Sequence, residues 1–143
     1  MNELIIYHKE DNDGVFSAAI AIEYIKQQYG DDTVIDKIPA DYVKLASLTK
    51  EDIDQWTKAY DHVIMTDISF NDVKMMKHIY KTMGKKFIWI DHHAPIIKAS
   101  FTNGFSDASG ERSTETSAMA LAWKFFFDPL SADGSIPEII KIL

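Results

Sequence analysis

The chain contains no cysteine, which excludes disulfide bonds, zinc–thiolate sites and a cysteine nucleophile. It also has no apolar run close to the roughly eighteen residues of a membrane-spanning helix. Residues 1–7 lack the basic and apolar regions of a secretory signal. Basic residues are few, because 15 lysines and arginines stand against 22 acidic residues, for a formal net charge of −7. This charge argues against broad wrapping of a nucleic-acid backbone. We therefore expect a cytoplasmic protein that does not contact a membrane.

Short apolar runs alternate with segments of helical periodicity, over a length of 143 residues that suits one domain with one core. The apolar runs predict strands at 4–7, 33–38, 62–66 and 87–90. The helical spacing predicts helices at 15–29, 71–83 and 114–127, and two others that begin near Thr49 and Pro137. The segment 98–107 fits a hairpin or a turn flanked by strands. This alternation predicts the α/β class, with a mostly parallel sheet flanked by helices on both faces.

Three of the predicted strands end in side chains that can bind metal. These are His8, Asp11 and Asp13 after the first strand, Asp67 after the third, and Asp91, His92 and His93 after the fourth. Because parallel strands have their carboxyl ends at one edge of the sheet, we expect these side chains to converge. Carboxylates with imidazoles and no thiolates suit manganese, magnesium, iron or zinc, and the excess of carboxylates favours a hard ion. Two ions roughly 3.5–4 Å apart, bridged by a carboxylate, would account for so many ligands and would activate water for attack on phosphorus.

Each of these residues also has a purely structural interpretation. Asp67 fits a turn or a helix cap, His8 fits an edge of the sheet, and the run 11–14 has the composition of a turn. It is their occurrence together, at the ends of three strands, that favours a site.

The three motifs in this order resemble those of the DHH phosphoesterase family. The resemblance rests on Asp91-His92-His93 after a hydrophobic strand, on His8…Asp11-x-Asp13-Gly14 near the start and on Asp67 between them, and it extends from Leu4 to about Phe127. The family includes RecJ-type exonucleases, oligoribonucleases, cyclic-dinucleotide phosphodiesterases, type II pyrophosphatases and exopolyphosphatases. The resemblance implies that residues 1–143 form the catalytic domain, with two Mn²⁺ ions expected and Mg²⁺ as the alternative.

Metal-binding roles follow from the resemblance residue by residue. It implies that His8 and Asp11 bind the first ion, that Asp13 and His92 bind the second, and that Asp67 bridges the two. The spacing from His8 to Asp11 varies between subfamilies, so His8 is the ligand that the motif defines least closely.

The resemblance implies catalytic and substrate-binding roles for two further positions, and the local sequence indicates a third. Asp91 would orient a histidine, as groups behind metal ligands usually do. His93 would contact the scissile phosphate and assist the leaving group. Arg112 precedes the helix predicted at 114–127, and an arginine beside a helix N-terminus can bind an anion. An ordinary helix cap with a solvated arginine is the favoured interpretation.

Two parts of the family pattern are missing from residues 1–143. The fourth motif, an aspartate on the second metal, would fall at or past Leu143, with Asp128 and Asp133 as nearer candidates. The second domain, which grips the substrate, is absent. The helix predicted from Pro137 reaches the apolar Leu143 without a cap, so we expect this chain to be cut from a longer protein, with a natural C-terminus docked on the core as the alternative. The aromatic residues 123–127 would meet that domain or a partner, or be buried within this one.

The predicted function is metal-dependent hydrolysis of the terminal phosphodiester bond of a short oligonucleotide. Cyclic-dinucleotide phosphodiesterase and pyrophosphatase activities are alternatives, although pyrophosphatase-like members usually carry proline where this chain has Glu10. A non-catalytic domain that binds a metal or nucleotide is a further alternative. A signalling domain that uses Asp67 as phosphoacceptor is another, but it would not need the histidines. The sequence leaves the oligomeric state open.

Overall fold

Five parallel strands form a single sheet with the order β2-β1-β3-β4-β5. The structure is a computed structural model, and it describes residues 1–128. The strands are β1 Asn2–His8, β2 Val34–Ala40, β3 His62–Thr66, β4 Phe87–Asp91 and β5 Ser109–Arg112. The predicted helix near Pro137 and the candidate Asp133 lie outside the described residues.

Helices cover both faces of the sheet, as predicted. They are α1 Asn12–Tyr29, α2 Tyr42–Ala46, α3 Lys50–Ala59, α4 Val73–Met83, α5 Ala94–Asn103 and α6 Ala118–Phe126. Alternate strand residues point to opposite faces. Ile5, Ile64 and Ile90 accordingly pack with residues of α1 and α6, whereas Leu4, Val63 and Trp89 pack with residues of α2 to α5.

Side-chain caps fix where several helices begin. Thr49 and Asp52 form a reciprocal capping box that starts α3 where the sequence predicts it. Asp11 caps α1, so this helix begins at Asn12 rather than at residue 15. Ser117 caps α6, so that helix begins at Ala118 rather than at residue 114. The last two boundaries differ from prediction because polar residues near a helix start fit a turn, a cap or the first helical turn equally well.

The segment 98–107 differs from its prediction. Its first part belongs to α5, which has Pro95 in its first turn and ends where Gly104 takes the left-handed conformation, with φ 80°. Asn-Gly is a signal for hairpins as well as for helix ends, which explains the error. The structure also contains β5, which was not predicted because Ser109–Arg112 has no apolar run.

Within residues 1–128, no helix is both long enough and apolar enough to cross a bilayer. The aromatic residues near the end of α6 are at least partly buried within this domain. Phe126 is 4% exposed, and its ring lies 5.0 Å from that of Tyr24.

Candidate metal centre

The chain reverses its direction of strand addition beside β1, which places a crevice at the carboxyl ends of β1 and β3. From β1 the chain adds β2 on one side of the sheet, and it then adds β3 and β4 on the other. Such switch points are where ligands bind in open α/β sheets. His8 ends β1, Asp67 follows β3, and Asp91 ends β4. The topology therefore brings the predicted strand-end residues to one crevice.

Asp67 is the buried centre of this crevice, and its backbone is in an unfavourable conformation. Among the described residues other than glycine, it alone has a positive φ, 60°. Its side chain has no exposure, and its backbone N–H donates to Ile90 O at 2.9 Å. Strained conformations of this kind cluster at functional sites. The backbone bond to Ile90 holds the strained turn and with it the direction of the carboxylate.

Two groups of possible metal ligands share Asp67. One consists of Asp67, His92 and His93, and the other of His8, Asp11 and Asp67. Within each group the ligand atoms lie within 4.8 Å of one another. A carboxylate common to two groups is the arrangement that a bridged pair of ions needs. These are the groups found among residues 1–128, and neither includes Asp128.

The polar atoms around His8 fit a bound cation better than they fit hydrogen bonds. His8 Nδ1 lies 3.6 Å from Asp11 Oδ2 and 3.7 Å from Asp67 Oδ2. Within the described part of the chain, His8 Nδ1 and Asp67 Oδ2 are buried and have no hydrogen-bond partner. Buried polar atoms without partners are costly and rare. One nitrogen and two carboxylate oxygens around a common point would bind a divalent ion, so these residues fit the metal that the sequence predicts.

His92 joins Asp67 to Asp13 on the other side of the crevice. His92 Nε2 lies 2.8 Å from Asp67 Oδ1 and 3.3 Å from Asp13 Oδ2. Both oxygens of Asp13 also accept backbone N–H groups from the start of α6, those of Ala118 at 2.9 Å and Met119 at 2.8 Å. The structure therefore places Asp13 at the centre, where it also holds the N-terminus of a helix.

Asp91 belongs to neither group of possible ligands and instead binds the two histidines that follow it. It is fully buried. Its Oδ1 accepts the backbone N–H of His92 at 2.8 Å and binds His93 Nδ1 at 2.6 Å, and its Oδ2 accepts from Trp89 Nε1 at 3.2 Å. With Nδ1 engaged, His93 has Nε2 left for a ligand. This geometry is compatible with a residue that orients a histidine, and the role of Asp91 stays a prediction.

The charges of the crevice shift the pKa values of its residues. Burial raises the pKa of Asp67 to about 6, against the lowering effect of its hydrogen bond with His92. The same hydrogen bond is the main cause that raises the pKa of His92. Burial raises the pKa of Asp11, but the hydrogen bond from the Gly14 N–H and the nearby His8 and His92 lower it below the ordinary value. A bound cation would favour the ionised form of both carboxylates.

Gly14 allows α1 to start directly against the end of β1. A Cβ atom at this position would lie 2.0 Å from the backbone oxygen of His8. The Gly14 N–H donates to Asp11 Oδ1 at 2.9 Å. Glycine here therefore permits the close approach that brings His8 and Asp11 together.

Arg112 is used within the fold, and its predicted role in substrate binding is not retained. Its guanidinium donates to the backbone oxygens of Trp89, Ser106 and Ala108 at 2.6–2.9 Å, and it lies over the Trp89 ring. The side chain therefore connects the edge strand β5 and the loop before it to β4 through hydrogen bonds. The sequence predicts an anion site here because an arginine followed by hydroxyl residues is also the pattern of such a site.

Tyr42 lies at the centre but was not predicted. Its ring centroid is 6.0 Å from that of His8. Burial, followed by the charges of Asp91, Asp67 and Asp11, raises the pKa of its phenol. Tyr42 begins α2 just after β2, whose last residue is Ala40, so it belongs to the same edge of the sheet. The sequence predicts that this strand ends at residue 38, so it does not place Tyr42 at the carboxyl edge of the sheet.

Comparisons with known proteins identify the family. No curated protein matches this chain. Among solved structures, the chain is similar to RecJ of Thermus thermophilus in complex with Mn²⁺, with 17% identity and a TM-score of 0.42. The match covers 66% of this chain and 12% of the RecJ chain. The model of the DHH family, N-terminal domain, matches residues 3–142. The chain therefore belongs to the DHH family.

Proposed function

We propose that this domain is the catalytic part of a metal-dependent phosphoesterase that cleaves the terminal phosphodiester bond of short oligonucleotides. One observation carries the proposal. The buried carboxylate of Asp67 is common to two groups of ligands, and its Oδ2 has no hydrogen-bond partner among the described residues. Membership of the DHH family supports phosphoester hydrolysis, and a pair of Mn²⁺ ions, or Mg²⁺ in their place, is part of the proposal.

The residues divide into ligands for two ions. His8 and Asp11 would hold the first, His92 and Asp13 would hold the second, and Asp67 would contact both. Ions bound there supply an activated water and neutralise phosphoryl charge. The group of His8, Asp11 and Asp67 supports the first set of ligands, and the group that joins His92 to Asp67 supports the second. Asp13 is added to the second set because its Oδ2 lies 3.3 Å from His92 Nε2.

Asp91 and His93 would handle the proton of the leaving group. Asp91 binds His93 Nδ1 at 2.6 Å, which fixes the ring and directs Nε2 away from Asp91. This hydrogen bond is also the main cause that raises the pKa of His93. A raised pKa keeps more of the imidazole protonated near neutral pH, so that a proton is available for the developing alkoxide.

Manganese binding and hydrolysis together test the proposal. We would titrate Mn²⁺ by calorimetry into the chain and into Asp67→Asn, and assay both on RNA and DNA of two to five nucleotides. The control is Asp54→Asn, because Asp54 also pairs with a histidine, His78, at 2.9 Å but lies on α3 outside the crevice. Asparagine tolerates the positive φ at position 67.

We expect two ions per chain, hydrolysis that depends on Mn²⁺, and loss of both in Asp67→Asn but not in Asp54→Asn. Binding without cleavage of any oligonucleotide would favour the non-catalytic alternative. Absence of binding would refute the metal centre itself. Cleavage of pyrophosphate or a cyclic dinucleotide in preference to linear oligonucleotides would keep the centre and change the substrate.

A further inference from the structure

A cavity of about 280 Å³ lies between α2 and the segment that follows β3. Leu45 and Phe70, each 2% exposed, form part of its apolar wall. Tyr42 and Met75 add an aromatic ring and a thioether, and the exposed Asn71 contributes a polar group. The wall is mostly apolar and carries three polar groups, the phenol of Tyr42, the amide of Asn71 and the carboxylate of Asp72. This is the composition of a small-molecule subsite.

The cavity adjoins the metal centre. Tyr42 lines the cavity and also lies 6.0 Å from His8, measured between ring centroids. Phe70 and Asn71 belong to the segment that begins at Asp67. A ligand in the cavity would therefore lie one aromatic ring away from the crevice. In a nucleotide the base lies one sugar away from its phosphate, so a nucleotide could reach both places.

The chemistry of the wall selects the type of group that fits. Among the described residues that line the cavity there is no lysine or arginine, so it is not suited to a phosphate. The carboxylate of Asp72, at its rim, accepts the backbone N–H of Lys74 at 2.9 Å and caps α4. An aromatic face beside aliphatic groups suits an uncharged heterocycle, and an amide both donates and accepts, as the edge of a base requires.

We propose that this cavity is a nucleobase subsite. The base of the nucleotide whose phosphate lies at the metal centre stacks on Tyr42 and presents its edge to Asn71. The inference rests on the proposed function, because that function supplies a nucleotide as the substrate. It deepens that function by naming the part of the substrate that this domain recognises in addition to the phosphate.

Binding of AMP compared with ribose 5-phosphate tests the subsite without requiring hydrolysis. We would measure both affinities by calorimetry in the presence of Mn²⁺ for the wild type, Tyr42→Ala and Met75→Trp. The first variant removes the stacking surface and the second fills the cavity. Val43→Ala is the matched control, because Val43 follows Tyr42 on α2, is 81% exposed and does not line the cavity.

We expect the wild type to bind AMP about tenfold more tightly than ribose 5-phosphate, as a single base stacked on an aromatic side chain would give. Tyr42→Ala and Met75→Trp should abolish this difference, Met75→Trp should do so without weakening the binding of ribose 5-phosphate, and Val43→Ala should retain the difference. Equal affinities in the wild type would overturn the proposal. A loss of affinity for both ligands in Tyr42→Ala would also overturn it, since Tyr42 would then only support the metal centre.

Hydrolysis of a dinucleotide and of its abasic analogue separates this inference from the proposed function. A wild type that binds AMP through Tyr42 but cleaves neither compound retains the subsite and refutes the activity. A wild type that cleaves both compounds with the same kcat/KM retains the activity and refutes the subsite.

Discussion

Asp13 Oδ2 accepts the backbone N–H of Ala118 at 2.9 Å, across 105 positions of the sequence. Asp13 Oδ1 accepts the next N–H, that of Met119, and Ser117 Oγ accepts that of Ala120. Three of the N–H groups that a helix leaves unpaired at its start are therefore bound. A carboxylate that the motif assigns to a metal thus also anchors α6, where the helix dipole favours a negative charge.

Asp13→Ala should destabilise the metal-free protein by about 1–2 kcal/mol, because it removes the charged acceptor of two N–H groups at a helix start. Urea denaturation in the presence of a chelator measures this change. Hydrogen exchange should show faster exchange at Ala118 and Met119, with the amides of α3, capped by Thr49, as an internal control. Unchanged exchange at the start of α6 would show that Asp13 does not hold the helix.

Gly14→Ala should destabilise the protein by about 3 kcal/mol, the upper part of the usual range for forced overpacking. The added Cβ would lie 2.0 Å from His8 O, which is backbone and cannot rotate away, so α1 must move from β1. We also expect weaker Mn²⁺ binding, since His8 and Asp11 would separate. Thermal unfolding and calorimetry measure the two effects.

Gly104→Ala is the control for that substitution. Gly104 has a positive φ of 80°, and an added Cβ would have nothing within 4 Å, so only the conformational cost of about 1 kcal/mol applies. It should leave Mn²⁺ binding unchanged. Equal destabilisation by the two substitutions would contradict the close packing of α1 on β1.

Asp91→Asn should lower the pKa of His93 in the metal-free protein. The hydrogen bond to Asp91 is the largest cause that raises this pKa, followed after desolvation by the negative charge of Asp91 itself. An NMR titration of the imidazole signals measures the change. His92 serves as the comparison, because its pKa is raised chiefly by its hydrogen bond with Asp67, although the charge of His93 lowers it. If the proposed function holds, activity should fall about 10- to 100-fold, as when other groups behind metal ligands are removed. A His93 titration that does not move would refute the positioning role of Asp91.

The sheet and the crevice could be predicted because they follow from local pattern and a topological rule. Four apolar runs separated by helical segments imply parallel strands, and parallel strands share one carboxyl edge. This logic places His8, Asp67 and His92 near one another without knowledge of a single distance. It does not reach Tyr42, whose position depends on where β2 ends, or the bond from Asp13 to α6, which joins distant parts of the chain.

The remaining errors arose where one local signal serves two structures. Gly104 after Asn103 ends a helix here, although the same pair often turns a hairpin. Arg112 carries the residue type of an anion site, but its guanidinium is taken up by backbone oxygens that no sequence pattern marks. In both cases tertiary packing decides between alternatives that are equal at the level of sequence.

Glu3 provides a pH-dependent prediction at the opposite edge of the sheet. Its side chain is 1% exposed and binds His62 Nδ1 at 2.9 Å. Burial raises the pKa of Glu3 above the ordinary 4.5, although the hydrogen bond and charge of His62 lower it. The folded state therefore holds this proton more tightly than the unfolded state. Because stability falls with pH wherever the folded state binds more protons, the contribution of Glu3 to folding declines as pH rises above about 4.5.

Glu3→Gln removes the titration and should remove this decline. We expect the free energy of unfolding of Glu3→Gln, minus that of the wild type, to increase between about pH 4 and pH 7. His62→Gln should have the opposite effect on the pH dependence of the free energy of unfolding. Without the partner that favours the carboxylate, the pKa of Glu3 rises further and the decline with pH becomes steeper. Urea denaturation of the four members of this double-mutant cycle at both pH values measures the effect. A difference that stays constant or decreases with pH would mean that the desolvation of Glu3 does not control its protonation in the folded protein.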